Sequence, residues 1–65
     1  MELWKYTQKR ARIKFKDGDV LTGFVREYID QEDTDLGYDE IFFKPDEQDE
    51  ISVREPEIKS IEVIE

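Results

Sequence analysis

Apolar and polar residues alternate along most of this chain, in runs too short for ordinary helices. Ala11, Ile13 and Phe15 interleave with Arg12, Lys14 and Lys16. That alternation predicts a half-buried strand with a basic outer face. Asp17-Gly18-Asp19 follows, and a second apolar run starts at Val20. Asp-Gly between two such runs predicts a β-hairpin, because glycine takes the positive φ that a tight turn demands. The second strand runs from Val20 to about Ile29, with Leu21 and Val25 flanking Gly23 on one face. A glycine inside a strand marks a bulge or a sharp bend. The inward face is therefore expected to change beyond Gly23 and to bring Tyr28 inside.

The remaining pattern adds three more strands. Glu40 to Lys44 reads as the third, ended by Pro45, which cannot donate to a central ladder. Ile51 and Val53 alternate with Ser52 and Arg54 in the fourth. Pro56 fixes a corner, and Ile58 to Ile64 forms the last, with Ile61 and Val63 on one face. Asp30 to Asp39 reads as an acidic loop turning at Gly37, and Asp46 to Asp49 as a polar turn. Glu2 to Gln8 has room for one or two helical turns, with Leu3 and Trp4 capping one end of the core. A helix this short must lean on the rest of the fold. The expectation is an all-β fold: one domain over residues 1–65, a strongly bent five-stranded antiparallel barrel after a short N-terminal helical turn.

Composition narrows the chemistry. The chain has 65 residues, near the lower limit for independent folding, and neither cysteine nor histidine. Disulfides and Cys/His metal sites are excluded, so the core or self-association must supply the stability. No apolar run has the length of a membrane span, and the first residues lack the apolar stretch of a signal peptide. A soluble cytoplasmic protein without membrane partners is the expectation. The usual general base and the thiol nucleophile are missing. Eighteen carboxylates single out no acid–base pair, and the reading is non-enzymatic, with no cofactor. The acidic loop fails the EF-hand pattern, because the sixth position is Asp35 or Tyr38 instead of glycine. A looser calcium site on Asp33, Asp35 and Asp39 is set below a solvated loop, and no metal is expected.

The net charge of −8 conceals an asymmetry. Residues 1–16 carry six basic side chains against Glu2 alone, a balance of +5; residues 17–65 carry four basic and seventeen acidic ones, a balance of −13. Such a split steers partners, or it reflects neighbouring strands of opposite sign within one barrel. The second reading is preferred. Phe15 and either Phe42 or Phe43 are expected in the core, and Phe24 on the outer face. The stripe of Arg12, Lys14 and Lys16 offers contacts to phosphates, opposed by the acidic remainder.

Asp17-Gly18-Asp19-Val20-Leu21-Thr22-Gly23-Phe24-Val25 resembles the first motif of the Sm, LSm and Hfq-like proteins. Val53-Arg54-Glu55-Pro56-Glu57-Ile58, followed by Ile61, resembles their second motif, and the likeness extends from about Leu3 to Ile64. The whole is also similar to short, acidic bacterial proteins of Sm-like type that end in a strand like Glu57 to Glu62. The resemblance implies an SH3-like or Sm-like barrel. It also implies subunit association by pairing of the fourth strand with a neighbour's fifth. Glutamates at Glu50, Glu62 and Glu65 would act against such pairing, so monomer and homo-oligomer both stay open. The family's RNA site matches only at Arg54. Its aspartate, stacking and asparagine positions fall on Ile29, Gln31 and Asp33, and the glycine after the arginine is Glu55. The first reading is thus a non-enzymatic interaction or assembly module, with itself or another protein as partner. The alternative is an RNA-binding protein using Arg54 with Arg12, Lys14 and Lys16.

Overall fold

A computed structural model describes residues 1–34 and 37–64. A 3-10 turn over Leu3–Tyr6 precedes β1 (Arg10–Phe15) and β2 (Val20–Ile29). One helical turn, α1 (Gln31–Thr34), leads towards β3 (Glu40–Pro45), β4 (Ile51–Arg54), a second 3-10 turn (Glu55–Glu57) and β5 (Ile58–Val63). The strands form one antiparallel sheet in the order β4-β3-β2-β1-β5. β4 and β5 are the two outer strands of that order, yet only Glu55–Glu57 separates them in sequence. The four steps from Arg54 to Ile58 span about 14 Å of chain at most. The sheet must therefore curl until its two edges meet at this corner, and the molecule is correspondingly thick in every direction, 29 × 24 × 21 Å.

The curl lets a single sheet enclose its own core. Ala11 and Ile13 of β1, Val25 of β2, Ile41 and Phe43 of β3, Val53 of β4 and Ile58 of β5 are buried together, with Leu3 closing the cluster. Tyr6, Phe15, Leu21, Tyr28, Ile51 and Ile61 pack around it. The alternation expected in β1 is present, with Ala11 and Ile13 inside and Arg12 and Lys14 outside. Trp4 departs from expectation. It is 54% exposed, with the Lys5 ammonium 5.7 Å from its ring centroid, and Leu3 alone plugs the core. In a 3-10 turn successive side chains diverge by about a third of a revolution, so two neighbours cannot both point inward.

The hairpin forms as its sequence demands. The Gly18 N–H donates to the Phe15 carbonyl at 3.0 Å and the Phe15 N–H to the Asp19 carbonyl at 2.8 Å. Gly18 carries φ +101°, and the Asp17 carboxylate accepts from the Asp19 N–H at 3.0 Å. Gly23 serves a different purpose. A Cβ there would fall on the Lys44 carbonyl oxygen and within 2.6 Å of the Pro45 Cα, so its bare backbone lets β3 cross closely. Pro45 closes the strand as the sequence reading expects, yet it keeps a place in the ladder. It ends β3 buried opposite Gly23, and the ladder passes over its missing N–H because Asp46 N–H donates to the Thr22 carbonyl at 3.0 Å.

The inward face of β2 does change, and Tyr28 does turn inside, but the switch lies at Arg26. Val25 pairs with Phe43 and Glu27 with Phe42, leaving Arg26 as the extra residue of a bulge. One inserted residue reverses the parity of everything after it. Gln8 supports this site from the start of the chain. Its backbone N–H donates to the Val25 carbonyl at 2.7 Å and its side-chain amide to the Arg26 carbonyl at 2.6 Å. To do so it takes φ +61°, the left-handed region. A second irregularity, opposite Lys14 and Phe15, brings Ile58 inside while Ile13 faces Ile61. Val63, expected inside with Ile61, is 43% exposed at the end of β5. The acidic loop contains the helical turn α1, held by the Asp30 carboxylate on the Glu32 N–H and the Asp39 carboxylate on the Gln31 N–H, both at 2.9 Å. That local capping by aspartates outweighs the repulsion that would extend the segment.

Candidate interaction edges and the basic stripe

Two surfaces bear on function: the edges of the sheet and the basic outer face of β1. Arg12 and Lys14 sit side by side on that face, with Thr22 and Val20 opposite on β2 and Glu62 and Ser60 opposite on β5. Lys16 lies just past the strand, where its backbone N–H donates to the Glu57 carbonyl at 2.9 Å. Arg12 and Lys14 thus share the exposed outer face of β1, and Lys16 is exposed just past its end. Arg54 is not part of that face. It ends β4, with β2 and β3 lying between β4 and β1 in the sheet.

Both arginines are engaged within the chain. Arg12 Nη1 is 3.0 Å from a Glu62 carboxylate oxygen, and Arg54 Nε is 3.8 Å from Glu40, the residue facing it on β3. The Arg12–Glu62 pair joins the basic first segment to the acidic remainder across neighbouring strands, and Arg54–Glu40 is a cross-strand pair within that remainder. Arg10 makes the tightest such link, donating through both terminal nitrogens to Asp46 at 2.8 and 2.9 Å. That fork holds the Asp46 carboxyl below the ordinary carboxylate range. Nothing in the sequence marks Arg10 and Asp46 as partners, because 36 residues separate them. The same is true of Gln8 and Arg26.

The edge strands are short. β4 has four residues and β5 six, and each pairs with one neighbour in the sheet. Their glutamates are matched by nearby arginines: Glu50 lies 3.4 Å from Arg26 Nε, and Glu62 is held by Arg12. Glu65 lies outside the described residues.

At the far end of β2, burial foremost, then the Asp39 and Asp30 carboxylates, push the Tyr28 hydroxyl up to about 12. Tyr28 donates to Asp30 at 3.3 Å. Among the described residues no group of carboxylates stands in metal-holding geometry, and Asp35 of the considered calcium set lies outside them. Among the described residues no helix is long and apolar enough to cross a membrane. Fold and site define a small, curled, all-β barrel with two open edges. No family model matches the chain, and no curated protein or solved structure shows significant similarity to it.

Proposed function

We propose that this chain is a non-enzymatic, Sm-like β-barrel interaction module that assembles with itself or with another protein through its edge strands. The observation that carries the reading is the pair of open edges on a curled sheet, β4 and β5, lying together at the Glu55–Glu57 corner. Unpaired backbone N–H and C=O groups along an edge are a template for a further strand. The glutamates that would repel a strand there, Glu50 and Glu62, already have cationic partners in Arg26 and Arg12. Val63 adds an exposed apolar side chain on β5.

RNA binding through Arg54 and the Arg12, Lys14, Lys16 stripe has weaker support. Both arginines would first have to leave Glu40 and Glu62, and the acidic remainder of the chain opposes phosphate. Light scattering on the eluting protein tests the first reading. A mass several times 7.8 kDa that falls in Val63→Lys is expected, and a mass that stays at 7.8 kDa at high concentration ends self-assembly and leaves only a different protein as the partner. Anisotropy with short U-rich and A-rich RNAs tests the second. Salt-sensitive binding lost in Arg54→Ala would put RNA first.

A further inference from the structure

The hairpin leaves a cleft at one mouth of the barrel that neither the strand edges nor the basic stripe explains. Phe15, Leu21 and Ile51 line it, together with Asp17, Asp19, Glu57 and Gln48, around about 280 Å³. The three apolar residues are half-buried, resting on the core with one side open. The three carboxylates come from the hairpin turn and the second 3-10 turn, which the curl of the sheet brings together. Six other carboxylates, Glu2, Glu40, Asp46, Glu50, Glu55 and Glu62, each stand within 4 Å of a cation. Among the described residues no ion pair engages Asp17, Asp19 or Glu57. Lys16 flanks the cleft beside Phe15, Asp17 and Glu57.

An apolar floor under an uncompensated acidic rim suits a side chain with an aliphatic stem and a cationic head. We propose that this cleft docks an arginine- or lysine-bearing segment of a basic protein partner, the stem lying on Phe15, Leu21 and Ile51 and the head reaching Asp17, Asp19 and Glu57. Charge complementarity selects this occupant: three carboxylates without an ion pair, on a chain that carries −8 overall, attract a cationic segment. Room for one or two side chains favours a short extended segment over a folded surface. The site needs no strand edge, so it stands or falls separately from edge-mediated assembly.

The test is an amide chemical-shift titration of the full chain, in whatever assembly it adopts, with the peptide acetyl-Arg-Leu-Arg-Leu-Arg-amide. The expected result is saturable shifts confined to residues 15–21, 48–51 and 55–57. Replacing the peptide arginines with citrulline, which keeps shape and removes charge, should abolish them, and replacing its leucines with glycine should weaken them. The variant Asp17→Asn/Asp19→Asn/Glu57→Gln should bind roughly tenfold more weakly, while Glu32→Gln/Asp33→Asn/Glu47→Gln, with the same net charge, should bind as the parent does. Lys16→Ala should bind more tightly. Shifts scattered over the acidic surface, equal losses in the two triple variants, binding retained with citrulline, or no shifts at about 1 mM peptide would each overturn the proposal. Should the first variant fail to fold, the citrulline peptide alone decides.

Discussion

The two interruptions of β2, at Gly23 and Arg26, lie within one turn of chain and act in opposite ways. Gly23 removes matter, so that the backbone of β3 can pass where a Cβ would sit. Arg26 adds a residue, so that Val25 and Tyr28 both face the core although an odd number of positions separates them. The first interruption leaves the pairing in step, and the second moves it by one. Between them the long strand serves two parts of one curled sheet, with β1 on one side and β3 on the other. A close crossing of strands and a change of face are thus separate events, produced by different residues.

Breaking the first interruption should cost most. Gly23→Val drives a branched side chain into the Lys44 carbonyl and Pro45, and more than about 4 kcal/mol of destabilisation is expected. In so small a domain that leaves little folded protein, read as loss of the cooperative transition in urea. Deleting Arg26 should cost less, about 2–4 kcal/mol, because Glu27 to Ile29 would have to reverse faces or pair out of step. If Gly23 were instead the origin of the change of face, the deletion would leave Tyr28 inside, and the contacts of its ring in a nuclear Overhauser spectrum decide this.

The strut of the bulge gives a finer test. Gln8→Ala removes the bond to the Arg26 carbonyl and should cost about 1 kcal/mol, whereas Gln8→Gly also relieves the left-handed backbone and should come out near neutral. A urea midpoint lowered equally by both would point to the hydrogen bond alone. Tyr28 reports on the far side of the bulge. Its folded pKa is raised to about 12, above an unfolded value near 10, so the folded state holds the proton more tightly. The associated stability is fully present below pH 10 and is lost as pH rises towards 12, by no more than about 1 kcal/mol given its partial exposure. Tyr28→Phe should flatten that alkaline decline. Smallest of all, Arg12→Ala should change stability by about 0.5 kcal/mol or less, since the pair with Glu62 is exposed. A larger effect would mean that the stripe on β1 does more than balance β5.

Local chemistry made much of this molecule legible. Asp17-Gly18 specified its hairpin because a positive φ at glycine is a property of one residue. The inward set of β1 followed from alternation alone. All five strands lie within one residue of their predicted bounds, β3 differing by its inclusion of Pro45. The basic outer face of β1 was equally readable, because Arg12 and Lys14 alternate with the buried Ala11 and Ile13. The partner of Arg12 was not, because Glu62 lies 50 residues away and faces it only once β1 and β5 pair. The cleft at the hairpin mouth was hidden for the same reason, since Phe15, Ile51 and Glu57 are far apart in the chain.

By itself the sequence determined an all-β fold, the turn at Gly18, an interruption of β2 near Gly23 and the apolar faces of most strands. These rest on conformational preference and side-chain period, which act over a few residues. Only the tertiary structure decided where β2 changes face, how Pro45 keeps its place in the sheet, which carboxylates each arginine holds and which are left uncompensated around Phe15, Leu21 and Ile51. Those outcomes depend on register between distant strands and on the curl that brings β4 and β5 to one corner, and packing sets both of them.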